Sequence, residues 1–260
     1  MPAATSSPEL SAALEAARAA DAVVRPMYRQ NVAVDIKADR TPVTEADRAA
    51  EAAIHAVLSR RFPGHDFYGE EGGRRGDAAD CLWLVDPIDG TKSFIRDTPF
   101  FSTQVALMRG GELVVGVSSA VAYGELAWAE RGGGAYLDGK PVRVSATRTL
   151  ADAIVSTGNL KSLAASSAWT RFGALVGQVN RVRGYGDFVH YHLLARGALD
   201  VVIESDVNIL DIAALAVIVR EAGGRFTDLG GGDVGLGTTT VLATNGLLHD
   251  AVLEAIGWPA

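Results

Sequence analysis

The sequence predicts an α/β (α+β) protein whose sheets are largely antiparallel. Three observations carry this. The first sixty residues set apolar side chains at helical spacing. Residues 81–130 then change to short apolar runs divided by glycine turns, the pattern of a meander. The second half mixes single strands with helices.

Taken in order, Ser7-Pro8 reads as a helix start, with Leu10, Leu14, Ala17 and Val24 on one face. Pro26 should kink or end that helix. Val32 to Lys37 reads as a short strand or extended segment. Thr44-Glu45-Ala46-Asp47 opens a second helix, with Ala50, Ile54, Val57 and Leu58 on one face and Pro63-Gly64 at its end. Strands are expected at Cys81 to Val85, Ser102 to Met108, Leu113 to Val121 and Glu125 to Glu130. Gly132-Gly133-Gly134 and Asp138-Gly139 read as turns. Beyond them come a strand at Ile154 to Ser156, a helix from Ala168 to Gln178 and a short helix from Phe188 to Ala195. A strand at Leu199 to Glu204 precedes an apolar helix from Asp211 to Ala222, which Gly223-Gly224 ends. A strand at Val241 to Thr244 and a helix from Leu247 to Ile256 close the chain. Pro141 and Ser145 break the pattern, so two lobes are expected, 1–145 and 146–260.

Bulk properties narrow the function. The chain has 260 residues, 48% hydrophobic and 21% charged, as in an ordinary soluble protein. A net charge of -7 disfavours nucleic acid and anionic membrane as partners. The single cysteine, Cys81, permits no intrachain disulfide and no Cys-rich zinc site, and is expected to be a buried strand residue. Residues 1–8 lack the basic region and apolar core of a signal peptide. The run from Ile212 to Val219 is too short to span a bilayer. A cytoplasmic location is expected.

The strongest motif is Trp83-Leu84-Val85-Asp86-Pro87-Ile88-Asp89-Gly90-Thr91. An apolar strand brings Asp86 to its end, and Pro87 cannot continue a central ladder, so the chain is expected to turn and aim Asp89 at the same point. Gly90-Thr91 then starts a short helix, whose free N–H groups suit a phosphate. Gly69-Glu70-Glu71-Gly72 adds acids after the strand-like Phe67-Tyr68. Asp211 starts the apolar helix and can serve as its cap. Asp47 can complete a capping box with Thr44. Hard carboxylates without His or Cys favour magnesium, with manganese as a substitute, over zinc. Several acids converging on two or three ions suit phosphoryl transfer.

These motifs, in this order, resemble the inositol monophosphatase superfamily. Lys37, Thr41 to Thr44, Glu221-Ala222-Gly223-Gly224 and Ala243-Thr244-Asn245-Gly246 extend the match over nearly the whole chain. The resemblance implies a layered αβαβα sandwich, a homodimer, and hydrolysis of a small phosphorylated metabolite through in-line attack by a metal-activated water. It assigns Glu70, Asp86 and the Ile88 carbonyl to one ion. Asp86, Asp89 and Asp211 go to a second, and Glu70 to a shared third. Thr91 with Asp47 orients and deprotonates the water, and Gly90 and Thr91 grip phosphate. The chain departs from the family at Leu210, where an aromatic is usual, and an apolar packing role is expected there.

The segment Arg183-Gly184-Tyr185-Gly186-Asp187-Phe188, followed by Tyr191, resembles the histidinol-phosphate phosphatase branch, as do Lys37-Ala38-Asp39 and Ala46-Asp47-Arg48. That branch implies a leaving group with an ammonium and an imidazole, for which Asp187 and Glu204 are candidates and Asp206 a weaker one. Asn208 falls in a stretch that varies with specificity. His190 and His192 read as helix surface or core residues rather than ligands. The alternatives are an inositol-1-phosphate or broad sugar phosphate phosphatase, and a non-catalytic homologue that binds phosphate or metal.

Overall fold

The computed structural model describes residues 7–30, 32–37, 42–77 and 80–259. Ala38, Asp39 and Thr41 of the upstream motif lie outside them.

Helix α1 (Pro8–Met27) is capped by Ser7, whose Oγ accepts the Leu10 N–H, and Pro26 falls in its last turn. Strands β1 (Val34–Ile36) and β2 (Pro42–Thr44) form a small hairpin sheet. Helix α2 (Glu45–Arg61) carries the full capping box between Thr44 and Asp47. Then follow β3 (Asp66–Gly69), β4 (Gly73–Arg75), β5 (Cys81–Asp89), α3 (Thr91–Ile95), β6 (Ser102–Arg109), β7 (Glu112–Ala120), β8 (Glu125–Glu130), β9 (Gly134–Leu137) and β10 (Lys140–Val142). The rest of the chain forms β11 (Ile154–Thr157), α4 (Lys161–Ala165), α5 (Trp169–Val176), β12 (Arg181–Arg183), α6 (Asp187–Ala195) and β13 (Val201–Ser205). It ends with α7 (Ile209–Glu221), β14 (Arg225–Thr227), β15 (Thr240–Thr244) and α8 (His249–Ile256).

Two sheets carry the fold. One runs β10-β9-β8-β7-β6-β5-β3-β4, with only the β3–β5 pair parallel. The other runs β12-β11-β13-β15-β14, with β11 parallel to both neighbours. Side-chain alternation along each strand sorts them into layers. Trp83 and Val85 face α1 and α2, while Leu82 and Leu84 face α6 and α7. In the second sheet Val202, Val241 and Ala243 face the same two helices. Val201, Ile203 and Leu242 face α4, α5 and α8 on the outside. The order is therefore helix, sheet, helix, sheet, helix. Helix α7 is apolar almost all round because both faces are covered. It approaches β7 so closely that a Cβ on Gly116 would stand 2.3 Å from the Ala214 carbonyl oxygen.

Four local expectations are corrected. Strand β5 does not stop at Val85 but runs on to Asp89. Helix α7 starts at Ile209, two residues before Asp211, because Asn208 is its cap. Cys81 opens β5 as expected but is only half-buried, at the strand's outer end. Strands β2, β4, β9, β10, β12 and β14 had no signal of their own. Each is three or four residues long, too short for a period to declare itself. Among the described residues, no helix is long and apolar enough to cross a membrane.

Candidate active site

The run from Asp86 to Asp89 is a bulge rather than a turn. Asp86 pairs with Gln104 and Asp89 with Ser102, so three steps on β5 meet two on β6. The extra residue shifts the pleat by one. In a regular strand, residues three apart face opposite ways; here Asp86 and Asp89 face the same way. The bulge is held by the Ile88 N–H donating to Asp86 Oδ1 at 3.0 Å and by Thr103 Oγ1 donating to the Pro87 carbonyl at 2.8 Å. Gly90 follows at φ 90°, and a Cβ there would lie 2.7 Å from the Phe100 carbonyl oxygen. Only glycine fits that bend.

Asp211 reaches the same point from α7. It is the third residue of the helix and closes a capping box: the Asn208 N–H donates to Oδ2 at 2.9 Å and Asn208 Nδ2 to Oδ1 at 2.6 Å. Asn208, read in sequence only as a variable position, thus aims Asp211. Leu210 is buried in the central core, as expected of an apolar residue there. Ligand oxygens of Asp86, Asp89 and Asp211 all lie within 4.8 Å of one another.

Burial raises the carboxyl groups of Asp86 and Asp89 well above the usual range, and the surrounding acids raise them further. Burial also lifts Asp211 to about 7, against the opposing Asn208 hydrogen bond. Such a cluster is costly unless a cation joins it. An all-oxygen donor set of this kind fits a hard divalent cation. A stability test follows. These acids bind protons more tightly folded than unfolded, so the contribution of Asp211 is complete below about pH 4 and is lost as pH rises through about 7, and Asp86 and Asp89 act in the same direction. In chelator, the melting temperature should fall over that interval. The rise on adding magnesium should grow with pH, and a magnesium response independent of pH would contradict the cluster's role.

Asp47 and Thr91 meet beside this cluster. Asp47 Oδ2 accepts both the N–H and the hydroxyl of Thr44. Its Oδ1 lies 3.1 Å from Thr91 Oγ1, which is also 3.0 Å from the Ile88 carbonyl. Burial raises the Asp47 carboxyl, with the Thr44 and Thr91 hydrogen bonds opposing.

Glu70 follows β3, its N–H donating to the Val85 carbonyl at 3.2 Å. It lines the same cavity as Asp86, Ile88, Asp89 and Asp211 but stands outside the tight trio. Lys37 bridges Glu70 at 3.0 Å and Glu71 at 2.6 Å, a pairing the sequence motif alone did not disclose. Buried Glu51 was also missed. Its carboxylate accepts the N–H groups of Glu71 and Gly72, each at 2.7 Å, and so fixes the loop that presents Glu70. The available signal was its place four residues after Asp47 on α2, one turn along the same face.

A second cavity adjoins the first, sharing Asn159 and Asp187. Asp187 opens α6 with φ 45°, a left-handed conformation unusual for a residue with a side chain. Glu204 is buried at the end of β13 and lines this second cavity. Asp206 does not; it accepts the Ser162 N–H and the Ser205 hydroxyl at the start of α4. Both histidines of α6 are core residues. His192 bonds Ser118 and Glu125, whereas His190 faces Glu204.

The comparisons agree with this geometry. The inositol monophosphatase family matches residues 6–257. A histidinol-phosphatase of Mycobacterium tuberculosis is 44% identical over 95% of this chain and 97% of its own length. An inositol-1-monophosphatase of Mesorhizobium japonicum is 35% identical over 88% of each chain. The crystal structure of the extragenic suppressor protein suhB from Bartonella henselae matches with a TM-score of 0.88 at 31% identity, covering 96% of this chain and 98% of that one. The chain belongs to the inositol monophosphatase family and is a phosphoric monoester hydrolase.

Proposed function

We propose that the substrate is L-histidinol phosphate, cleaved to L-histidinol and phosphate as a step of histidine biosynthesis. One observation carries this reading: two carboxylates, buried Glu204 and half-buried Asp187, line the cavity that adjoins the acidic centre. A leaving group bearing an ammonium and an imidazole suits them, the ammonium offsetting one charge and the imidazole N–H donating to the other carboxylate. The similarity to a histidinol-phosphatase points the same way.

In this reading Glu70, Asp86 and the Ile88 carbonyl would hold one magnesium ion and Asp86, Asp89 and Asp211 a second, and Glu70 would also serve a third. Manganese is the natural substitute. When bound, the ions polarise the phosphate and make a water a better nucleophile near neutral pH. The chain's own residues do the rest. Thr44 occupies Asp47 Oδ2, which leaves Oδ1 to take a proton from Thr91 Oγ1. Thr91 Oγ1 can then accept a proton from the attacking water. The N–H groups of Gly90, which precedes α3, and of Thr91, its first residue, have no intrahelical partner and grip phosphate oxygens. Asp187 and Glu204 orient the leaving group so that its P–O bond lies opposite the water. Residues 1–145 thus carry all of the metal and water machinery except Asp211, and 146–260 add that ligand and read the substrate. A homodimer in the cytoplasm completes the picture by family resemblance.

The competing reading is an inositol-1-phosphate or broader sugar phosphatase, since Glu204 can also accept hydroxyl groups and an inositol-1-monophosphatase is among the relatives. A panel of L-histidinol phosphate, inositol 1-phosphate and fructose 1,6-bisphosphate with magnesium decides. Histidinol phosphate should give the largest kcat/KM, and Asp187→Ala should lower that value by about tenfold or more, the cost of one charged contact. A larger kcat/KM for inositol 1-phosphate would reverse the assignment.

A further inference from the structure

Glu204 is held from three sides. Its Oε1 accepts the Asn159 N–H at 3.1 Å and its Oε2 the Tyr191 hydroxyl at 2.9 Å. Gly158 packs against it so tightly that a Cβ there would stand 2.0 Å from Oε1. The third side is His190, fully buried, with Nε2 3.2 Å from Glu204 Oε2. That nitrogen has no well-aligned hydrogen-bond partner among the described residues. The other ring nitrogen, Nδ1, lies 3.4 Å from Ser156 Oγ, which accepts the Tyr185 N–H at 3.3 Å. The Ser156 proton is therefore available to Nδ1. A carboxylate only accepts, so the ring proton belongs on Nε2, facing Glu204.

Helical geometry explains the grouping. Asp187, His190 and Tyr191 are spaced i, i+3 and i+4 on α6, so one face of one helix serves a single carboxylate on β13. Burial opposes the ionised form of Glu204, but His190, the Asn159 N–H and the Tyr191 hydroxyl outweigh it and bring the group below its ordinary range. Asp187, at the mouth of the same cavity, is pushed up to about 6 by burial and then by the Glu204 charge, with His190 and Lys92 opposing. Two neighbouring acids in a partly desolvated pocket tend to share a proton. Donors fixed behind Glu204 prevent this and leave two negative charges for one guest.

We propose that His190, braced by Ser156, is a positioning residue that makes the pocket selective for a leaving group carrying positive charge, by keeping Glu204 aimed into the cavity beside Asp187. The inference rests on the histidinol phosphate reading and adds a residue that never touches the substrate. The test uses the full chain with magnesium and compares kcat/KM for L-histidinol phosphate with that for p-nitrophenyl phosphate, whose leaving group has no cation. Binding of L-histidinol itself is followed by calorimetry. His190→Phe keeps a flat ring and removes both nitrogens. It should lower the selectivity ratio by about tenfold or more, through KM rather than kcat, and weaken L-histidinol binding to match. His190→Gln, which returns an N–H toward Glu204, should recover most of the ratio. If His190→Phe folds poorly, Ser156→Ala must show the same selective loss. An unchanged ratio in His190→Phe or Ser156→Ala, or equal losses on the two substrates, overturns the proposal. A wild-type enzyme that ignores histidinol phosphate removes the substrate reading and this inference with it. A wild-type preference that survives in His190→Phe removes this inference alone.

Discussion

Exchanging Asp89 for asparagine should lower kcat/KM by about a thousandfold or more. Groups that merely support a metal ligand cost about 10–100-fold when lost, and Asp89 stands among the ligand oxygens themselves. The substitution keeps shape and volume and removes one charge from three that meet within 4.8 Å. Its effect on stability should run the opposite way. Asp89 is half-buried, and its acidic neighbours Asp187 and Asp211 repel its charge. In chelator at neutral pH, Asp89→Asn should therefore melt no lower than the wild type, and the stabilisation by magnesium should shrink. Loss of turnover together with loss of ion-free stability would mean a folding defect. Near-normal turnover would remove Asp89 from the metal centre.

The second large effect is expected at Asp47. Converting it to asparagine should cut kcat by about 10²–10⁴, the usual worth of a positioned proton acceptor, with little change in KM. The residue also completes the capping box of α2, so about 1 kcal/mol of stability should be lost as well. Thr44→Ala separates the roles. It removes the hydroxyl that bonds Asp47 Oδ2 and serves as the helix cap, but leaves the Thr91 contact at Oδ1. It should destabilise by a similar amount while keeping most of the turnover. Equal activity losses in the two variants would mean that Asp47 serves only the helix. Thr91→Ala should resemble Asp47→Asn in kcat without the loss of the cap.

Local features were legible where a few neighbouring residues decide them. The Ser7 cap, the Thr44–Asp47 box and the helix start at Gly90-Thr91 each need only a short stretch of chain. The long strands of the first sheet declared themselves by apolar runs, whereas the three-residue strands that complete both sheets did not. Asp211 was readable as an acid at a helix start, yet its orientation depends on Asn208 and on a start two residues earlier than the apolar pattern suggested. Lys37 and Glu51 were not legible as supports of the Glu70 loop. Their partners lie 20 to 34 residues away; the helical spacing of Glu51 from Asp47 marks its face but not its partners, and nothing local distinguishes Lys37 from a solvated charge.

By itself the sequence determined the class of chemistry. A buried strand ending in two acids, a glycine and a threonine, with further acids in a set order, restricts the chain to hard cations and phosphate. Tertiary structure alone decided how those acids meet. A one-residue bulge against β6 turns Asp86 and Asp89 to the same side, and helix α7, wedged between two sheets, carries Asp211 to them from over a hundred residues away. The same holds for the choice of guest. Glu204 owes its fixed, ionised state to His190 and Tyr191 of α6 and to Asn159 of the loop after β11, two segments far apart in the chain. Periodicity reports which face of an element is buried. It does not report which polar groups on that face are brought together, and that pairing sets the chemistry of a dry pocket.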